Sequence, residues 1–177
     1  MGQRGAGVKW HQDIAFYPHT NTNTCQFLLA LDEVKTEQGS LQVIPQSHRG
    51  PIYHHYDKDS VWTGSICEKD LITAGVSDAI PITGQAGTLS VHHNRTIHGS
   101  APNTGKQSRP MLVIIYSSAD AIPYTSAPYP SSHYGALVRG KQPAYAHHEE
   151  LDMPLPPDWS GGYTSIFTHQ EPLLNRS

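Results

Sequence analysis

The apolar residues of this chain fall in short segments, most of which are bounded by Gly, Pro, Asn or Ser. Long amphipathic helical patterns are scarce, and short apolar segments bounded in this way are typical of β-strands. The 15 glycines and 14 prolines among 177 residues suit the turns between such strands. We predict strands at Lys9–Phe16, Thr24–Val34, Ser40–Ile44, Ile80–Thr83, Thr88–His92 and Pro110–Ser118.

This strand pattern predicts a mainly β fold with two packed sheets, of the jelly-roll type. An open sheet fits less well, because it would leave long apolar edges exposed. The segment Glu68–Leu71 is expected to form a short helix. We predict a core of residues 1–120 and a Pro-rich extension of residues 121–177 packed on it, mostly as extended chain, because proline restricts strand pairing.

The composition excludes several classes of partner. Charged residues make up only 15% of the chain and the net charge is −3, which disfavours binding to a nucleic-acid backbone. No apolar run approaches the roughly 20 residues that span a bilayer, and Met1–Gly5 lacks the apolar segment of a signal peptide. Two cysteines are too few for a disulfide framework. We therefore expect a cytoplasmic protein with free thiols that binds neither nucleic acid nor membrane.

Histidine is unusually frequent, since the 12 His equal the 12 Lys plus Arg in number. Histidine is the commonest metal ligand, so a metal site stands beside the simpler interpretation of a His-rich surface. A His and an acidic residue two positions apart on a strand share one face and can meet one metal ion. Chance alone gives roughly one such pair here. The chain has four, so the spacing by itself proves nothing.

Sequence context separates these four pairs. Only His11 and Asp13 lie within an apolar predicted strand. His55 and Asp57 lie in a polar run that is expected to be a solvated loop, and the two pairs in His147–Glu150 lie in the Pro-rich extension. A buried charge is costly unless it has a partner, and a metal ion would provide one for Asp13. An ion pair between His11 and Asp13 on the sheet surface is the alternative.

His98 and Arg109 flank a loop that is rich in turn residues. His98 follows an alternating apolar run and is expected to end a strand, and Gly99 after it permits a turn. Arg109 opens the next apolar strand, so we expect the two residues on neighbouring antiparallel strands. A cation at the start of an apolar strand suggests a bound anion, and arginine holds a carboxylate through two parallel hydrogen bonds.

Together, His11, Asp13 and His98 would form a facial set of two histidines and one carboxylate. With open positions on the metal, this is the ligand set of non-haem Fe(II) oxygenases. Zinc is the alternative metal, but catalytic zinc sites are usually tetrahedral, and no obvious general base lies beside these residues. Arg109 favours a co-substrate with a distal carboxylate, such as 2-oxoglutarate, whose keto-acid end would chelate the metal.

Four sequence blocks resemble the phytanoyl-CoA dioxygenase family. The blocks are Trp10–Asn21, Gly39–His48, Gly87–His93 and Arg95–Asn103, and Arg109 follows at the spacing of the family. The resemblance covers about residues 8 to 120. Four blocks in the same order are far more specific than any one of them.

The resemblance implies a double-stranded β-helix, the cupin-like form of the jelly roll, that works with Fe(II), 2-oxoglutarate and O2. It implies that His11, Asp13 and His98 bind the iron and that Arg109 binds the distal carboxylate of 2-oxoglutarate. The implied activity is that of a dioxygenase that hydroxylates a small organic or acyl substrate and releases succinate and carbon dioxide.

One departure from the family concerns the segment before the His-x-Asp strand. Family members carry a substantial N-terminal portion there, whereas only ten residues precede His11 in this chain. We therefore expect a chain that lacks this portion and exposes an apolar sheet face.

Some assignments stay open at this point. His92 and Thr96 are expected to line the substrate pocket, with ordinary interior polar residues as the alternative. Two other functions are possible: a metal-binding cupin-like domain without redox catalysis, which would not need Arg109, and an inactive, truncated remnant of an oxygenase. Eight further histidines are interpreted as surface residues: His19, His48, His54, His55, His133, His147, His148 and His169.

Overall fold

The computed structural model describes residues 5–127, 131–162 and 165–170. Residues 1–4 of the predicted core and residues 128–130, 163–164 and 171–177 of the predicted Pro-rich extension therefore lie outside the described residues. Seven strands are present in the described ranges: β1 (Val8–His11), β2 (Thr24–Ala30), β3 (Leu41–Val43), β4 (Ile80–Pro81), β5 (Leu89–His93), β6 (His98–Ser100) and β7 (Met111–Ser117). Two short helices accompany them, α1 (Glu68–Leu71) and α2 (Ile166–Gln170). Single 3₁₀ turns occupy Asp13–Ala15, Thr36–Gln38, Ser47–Arg49 and Val76–Asp78.

The strands form two antiparallel sheets. One has the order β1-β6-β3-β4 and the other has the order β5-β2-β7. Polar side chains of the second sheet reach the first: Gln26 on β2 donates a hydrogen bond to Asp13, two residues after the end of β1. The predicted mainly β fold of two packed sheets and the predicted helix at Glu68–Leu71 are confirmed.

Every predicted strand segment overlaps an observed strand, but two expectations about His98 are wrong. His98 begins β6 and does not end a strand, because β5 stops at His93 and a turn follows, in which the Thr96 N–H donates to the His93 carbonyl. His98 and Arg109 are also not on neighbouring strands. β6 pairs with β1 and β3, whereas β7, which follows Arg109, pairs with β2 in the other sheet.

Two apolar clusters pack on either side of the β1 region. The first contains Ala15, Phe16, Trp62 and Trp159. The second contains Ile44, Ile66, Ala74 and Ile97, with Trp10 of β1 packed against it. Strand alternation explains this division, because Trp10 and His11 point to opposite faces of their sheet. His11 therefore lies between the sheets while its neighbour anchors the outer layer.

The C-terminal part contributes buried groups to the core. The Trp159 indole N–H donates to the Phe16 carbonyl at 3.0 Å. Gln170 of α2 accepts from the Lys9 N–H at 2.7 Å and donates to the Gly64 carbonyl at 2.8 Å. These contacts join the C-terminal part to β1 itself, to Phe16 after it and to the loop at Gly64. The predicted boundary at residue 120 stays a prediction.

The outer face of the three-stranded sheet is apolar and open. Phe27 of β2 lies between its cross-strand partners Val91 and Ile114. Leu89, Val91, Leu112 and Ile114 on this sheet are 39–55% exposed. This is a large apolar surface for a domain of this size. Neither described helix could span a bilayer, since α1 has four residues and α2 has five.

Gly39 ends the 3₁₀ turn before β3 and adopts a left-handed backbone with φ of 69°. A Cβ atom at this position would overlap the Ala101 carbonyl oxygen. Gly87 has a similar φ of 87°, but a Cβ there would meet open space among the described residues. Substitution of Gly87 would therefore introduce backbone strain alone, whereas substitution of Gly39 would introduce both backbone strain and a steric overlap.

We expect Gly87→Ala to lower the free energy of unfolding by only about 1–2 kcal/mol, the penalty of a left-handed alanine. Gly39→Ala should lower it by about 1–3 kcal/mol more, because the backbone must also shift to relieve the overlap. Urea denaturation followed by circular dichroism measures both variants. Equal destabilisation by the two substitutions would show that the contact with Ala101 is unimportant.

Candidate metal centre

Three of the predicted site residues converge between the sheets. His11 Nε2 lies 3.7 Å and His98 Nε2 lies 3.6 Å from Asp13 Oδ1. The possible ligand atoms of the three residues all lie within 4.8 Å of one another, and the residues are only 4–5% exposed. In the part of the chain that the structure describes, this is the one His, Cys, Asp or Glu group with such spacing.

Strand pairing brings the two histidines together, because His11 of β1 and His98 of β6 are cross-strand partners. Their Nδ1 atoms lie 2.8 Å from the Lys9 carbonyl and 2.9 Å from the Thr96 carbonyl, respectively. A ring nitrogen that faces a carbonyl carries the proton, so each Nε2 keeps a free lone pair. Both rings are thus held in the tautomer that binds a metal through Nε2.

Asp13 reaches the histidines by a different route from the one that the sequence predicts. The strand ends at His11, and Asp13 opens a 3₁₀ turn in which its carbonyl accepts from the Phe16 N–H at 2.8 Å. The next N–H, that of Ile14, donates outside the β1 pairing, to the Asn94 carbonyl at 3.0 Å. The expectation that His11 and Asp13 share one strand face is therefore wrong, although the two side chains do meet.

Burial sets the protonation states of the three groups. It lowers the pKa of His11 to about 3, with the nearby His98 as the next cause, and it also lowers the pKa of His98. For Asp13, burial acts to raise the pKa, but His98, His92 and His11 together hold it below its ordinary value. At neutral pH the cluster consists of two neutral imidazoles and one carboxylate, the forms that bind a divalent metal.

The opposing sheet supplies polar groups to the second oxygen of Asp13. The side-chain amide of Gln26 on β2 donates to Asp13 Oδ2 and also to the Tyr17 hydroxyl, at 2.8 Å. His92 of β5 is the cross-strand partner of Gln26, and its Nε2 lies 3.5 Å from the same Oδ2. Burial and the Asp13 charge raise the pKa of Tyr17, so its hydroxyl keeps its proton.

Gln26 is not among the site residues that the sequence predicts. Strand alternation on β2 was a usable signal, because Thr24, Gln26 and Leu28 share the face whose members are mostly buried. His92 and Thr96 are both buried. Their assignment to the substrate pocket stays a prediction, although the Thr96 carbonyl already has the role of holding the His98 ring.

Gln12, which lies between His11 and Asp13, is fully buried, and its side chain bonds to two neighbouring loops. Its amide nitrogen donates to the Pro51 carbonyl at 3.1 Å and to the Arg95 carbonyl at 2.8 Å. Its amide oxygen accepts from the Tyr53 N–H at 2.9 Å. Every hydrogen-bonding group of this side chain is therefore used, which fixes the peptide that carries His11 and Asp13.

His55 is buried against the backbone of Gln12, so its assignment to a solvated loop is wrong. The residue is 0% exposed, and its Nε2 accepts from the Gln12 backbone N–H at 3.0 Å. Its Nδ1 faces the Tyr53 carbonyl at 2.9 Å and therefore carries the proton. His19 is likewise buried and bonded to the Tyr17 carbonyl, so it is not a surface residue either. Both assignments failed because local polarity does not reveal packing.

Arg109 lies two residues before β7, beside a narrow cavity between the sheets. The cavity is lined by Leu28, Ala30, Ser90, Met111 and neighbouring residues. The guanidinium Nε is buried and has no hydrogen-bond partner among the described residues. Burial lowers the pKa of Arg109, yet arginine stays charged at neutral pH. A buried donor without a partner is costly, so this Nε–H group suits an anionic hydrogen-bond acceptor.

The residues present fit an iron ion. Two neutral imidazole nitrogens and one carboxylate oxygen, aimed at a common point, form the donor set of non-haem Fe(II) centres. The fold and this cluster together define a jelly-roll protein with a candidate metal centre between its sheets.

Residues 2–111 match the family model described as phytanoyl-CoA dioxygenase (PhyH). The chain therefore belongs to the phytanoyl-CoA dioxygenase family, which confirms the predicted resemblance. A probable alpha-ketoglutarate-dependent hypophosphite dioxygenase from Stutzerimonas stutzeri is 34% identical over 97% of this chain and 61% of its own length. An L-proline trans-4-hydroxylase from Streptomyces griseoviridis is 31% identical over 70% of this chain and 53% of its own length. The chain thus spans about half to three fifths of these curated relatives.

A solved structure supports the fold. The crystal structure of EctD from S. alaskensis with 2-oxoglutarate and 5-hydroxyectoine superposes with a TM-score of 0.57 at 23% identity, over 84% of this chain and 51% of that one. At this level of identity the likeness concerns the fold alone. It confirms the predicted cupin-like jelly roll.

The buried neutral His55 makes a prediction about stability and pH. Burial lowers its pKa to about 4 in the folded protein, whereas the unfolded chain has a value of about 6.5. Between these values the unfolded state binds more protons, so stability is complete above pH ~6.5 and falls as the pH drops to ~4. The expected contribution of His55 is about 3 kcal/mol.

His55→Gln keeps an acceptor for the Gln12 N–H but cannot titrate, so this variant should lose less stability than the wild type over that pH range. Urea denaturation at half-unit steps of pH measures the difference, and every other histidine is the same in both proteins. Identical pH profiles would contradict a neutral, buried His55.

Proposed function

We propose that this chain forms the core of an Fe(II)/2-oxoglutarate-dependent dioxygenase. The observation that carries the proposal is the convergence of His11, Asp13 and His98 with both Nε2 lone pairs free. The family membership supports it, and so does the relative that is named as an alpha-ketoglutarate-dependent dioxygenase.

In this proposal each described residue has a defined task. His11, Asp13 and His98 would hold the iron, and Gln12 keeps the first two in place through its bonds to the neighbouring loops. When bound, iron would supply the oxygen chemistry that converts substrate, O2 and 2-oxoglutarate into hydroxylated substrate, succinate and carbon dioxide. The buried position of the three ligands limits access of water to that chemistry.

Arg109 is proposed to bind the distal carboxylate of 2-oxoglutarate. The cavity at Arg109 runs along the inner face of β2 and β5, where Leu28 and Ser90 line it. These residues are the inner-face neighbours of Gln26 and His92, which contact Asp13. Leu28 and Ser90 thus lie on the same strand faces as the residues that contact Asp13, and the Arg109 Nε at this cavity has no partner among the described residues. We infer that the far carboxylate of a keto acid chelated at the metal would bind there.

We propose a small hydrophilic substrate in preference to a long acyl chain. The polar side chains of Gln26 and His92 face the metal cluster from the opposing sheet. The two relatives described above are named for hypophosphite and L-proline, which are both small and hydrophilic. A soluble substrate of this kind agrees with the cytoplasmic location that the sequence predicts.

The activity itself is tested by supplying Fe(II), 2-oxoglutarate and O2 with a panel of small oxyanions and amino acids. We expect succinate from the wild type and none above background from Asp13→Ala or His98→Ala. Those variants should bind Fe(II) at least 100-fold more weakly, because two remaining ligands do not offset metal hydration. His133→Ala is the control, since His133 is exposed. Tight Fe(II) binding by the wild type without succinate would favour the non-catalytic metal-binding alternative.

Substitution of Arg109 separates co-substrate binding from metal binding. Arg109→Ala should weaken 2-oxoglutarate binding by about 2–5 kcal/mol, the usual effect of removing one partner of a buried charged pair. Fe(II) affinity should stay nearly unchanged, and Arg109→Lys should restore binding only in part, because an ammonium group lacks the planar fork. Anaerobic titration of Fe(II) into the apoprotein measures the metal affinity of each variant. Titration of 2-oxoglutarate into the Fe(II)-loaded protein, followed by the metal-to-ligand absorption band, measures the 2-oxoglutarate affinity.

Arg49→Ala is the matched control for this experiment, because Arg49 is exposed. A loss of thermal stability in Arg109→Ala with unchanged 2-oxoglutarate affinity would assign Arg109 a purely structural role.

A further inference from the structure

The two carboxylate oxygens of Asp13 face different groups. Oδ1 points to the two histidine Nε2 atoms, at 3.7 and 3.6 Å. Oδ2 faces the opposing sheet, where the Gln26 amide donates to it and His92 Nε2 lies 3.5 Å away. The side chain is thus oriented with one oxygen on the metal side and the other oxygen engaged by the protein.

Gln26 is fixed in its own position by two partners. The amide nitrogen has two hydrogens, and both are used, one on Asp13 Oδ2 and one on the Tyr17 oxygen at 2.8 Å. The residue also sits in the middle strand of its sheet, opposite His92 on one side and Ile115 on the other. The backbone of Gln26 is held by a strand on each side and its amide by Asp13 and the partly buried Tyr17, so the amide has little freedom to turn away.

His92 stands on the same side of the carboxylate. Its ring is nearly buried, and neither ring nitrogen makes a hydrogen bond of normal length with a described residue. The nearest carboxylate oxygen is Oδ2, not the Oδ1 that faces the histidine pair. His92 therefore backs the oxygen that Gln26 holds.

We propose that Gln26, supported by His92 and Tyr17, is a positioning residue that restricts Asp13 to a single metal-binding oxygen. A free carboxylate can bind a metal through both oxygens and then occupies two coordination positions. Engagement of Oδ2 by an amide donor prevents this, so two histidines and one oxygen take one face of the metal. The opposite face stays available to the keto acid and to O2. This inference rests on the proposed function, because it concerns the same centre.

The inference predicts a specific defect when the amide donor is removed. Gln26→Leu keeps the size of the side chain but frees Oδ2, so Asp13 can bind through both oxygens. Fe(II) affinity should then stay within a few-fold of the wild type or rise, while 2-oxoglutarate affinity falls at least tenfold. Gln26→Met, which is also similar in size and lacks the donor, should give the same result and serves if the leucine variant does not fold.

Gln42→Leu is the matched control, because Gln42 lies on β3 opposite Gly99 and Pro81 and has no contact with Asp13 among those described. Anaerobic titrations with Fe(II) alone, and then with 2-oxoglutarate, give the two affinities. Infrared difference spectra of the Zn(II)-loaded proteins, with carboxyl-labelled aspartate, give an independent signature. The separation between the two carboxylate stretching bands should narrow in Gln26→Leu and stay unchanged in Gln42→Leu.

Three results would overturn the inference. If both Gln26 variants bind 2-oxoglutarate as the wild type does, the amide does not restrict Asp13. If Fe(II) affinity collapses as it does in Asp13→Ala, Gln26 is needed for the metal itself and not for the open face. If the wild type binds neither Fe(II) nor 2-oxoglutarate, the proposed function fails, and this inference fails with it.

Discussion

The buried carboxylate of Asp13 is the constraint on which the rest of this structure depends. A charge that is 4% exposed needs partners, and no lysine or arginine side chain is paired with it in the described residues. Its partners come instead from β6 and β5 as histidines, from β1 as His11 and from β2 as an amide. The two sheets are joined at this point by polar contacts, with the apolar clusters on either side.

Much of this arrangement is legible in the sequence. Apolar runs bounded by turn residues give the strands, and the ordered sequence blocks lead to the family and its jelly roll. Context favours His11 and Asp13, because only this His–Asp pair lies in an apolar run. The structure brings both side chains to His98, and the role of the three residues as metal ligands stays a prediction. The local reason for the meeting of His11 and Asp13 is wrong. Asp13 lies in a 3₁₀ turn and not on the strand, so strand alternation alone does not explain the meeting of the side chains.

The other features depend on pairing between distant segments, which local patterns do not contain. Gln26 faces Asp13 only because β2 packs between β5 and β7 in the opposing sheet. His55 lies in a polar run, yet its Nε2 accepts a hydrogen bond from the backbone N–H of Gln12, 43 positions away in the sequence. Arg109 belongs to the sheet opposite His98 because β7 pairs with β2. In each case a residue's neighbours in space, not its neighbours in sequence, determine what it does.

The hydrogen bond from Trp159 to Phe16 has a consequence for how the protein is made. The two residues are 143 positions apart, and Phe16 packs edge-on against the His11 ring at 5.6 Å. During synthesis, the wall behind His11 is therefore incomplete until residue 159 has left the ribosome. Contacts of such long range slow folding and leave early intermediates exposed. The nascent chain would therefore complete the packing around His11 only late in its synthesis, after all three residues of the metal cluster have emerged.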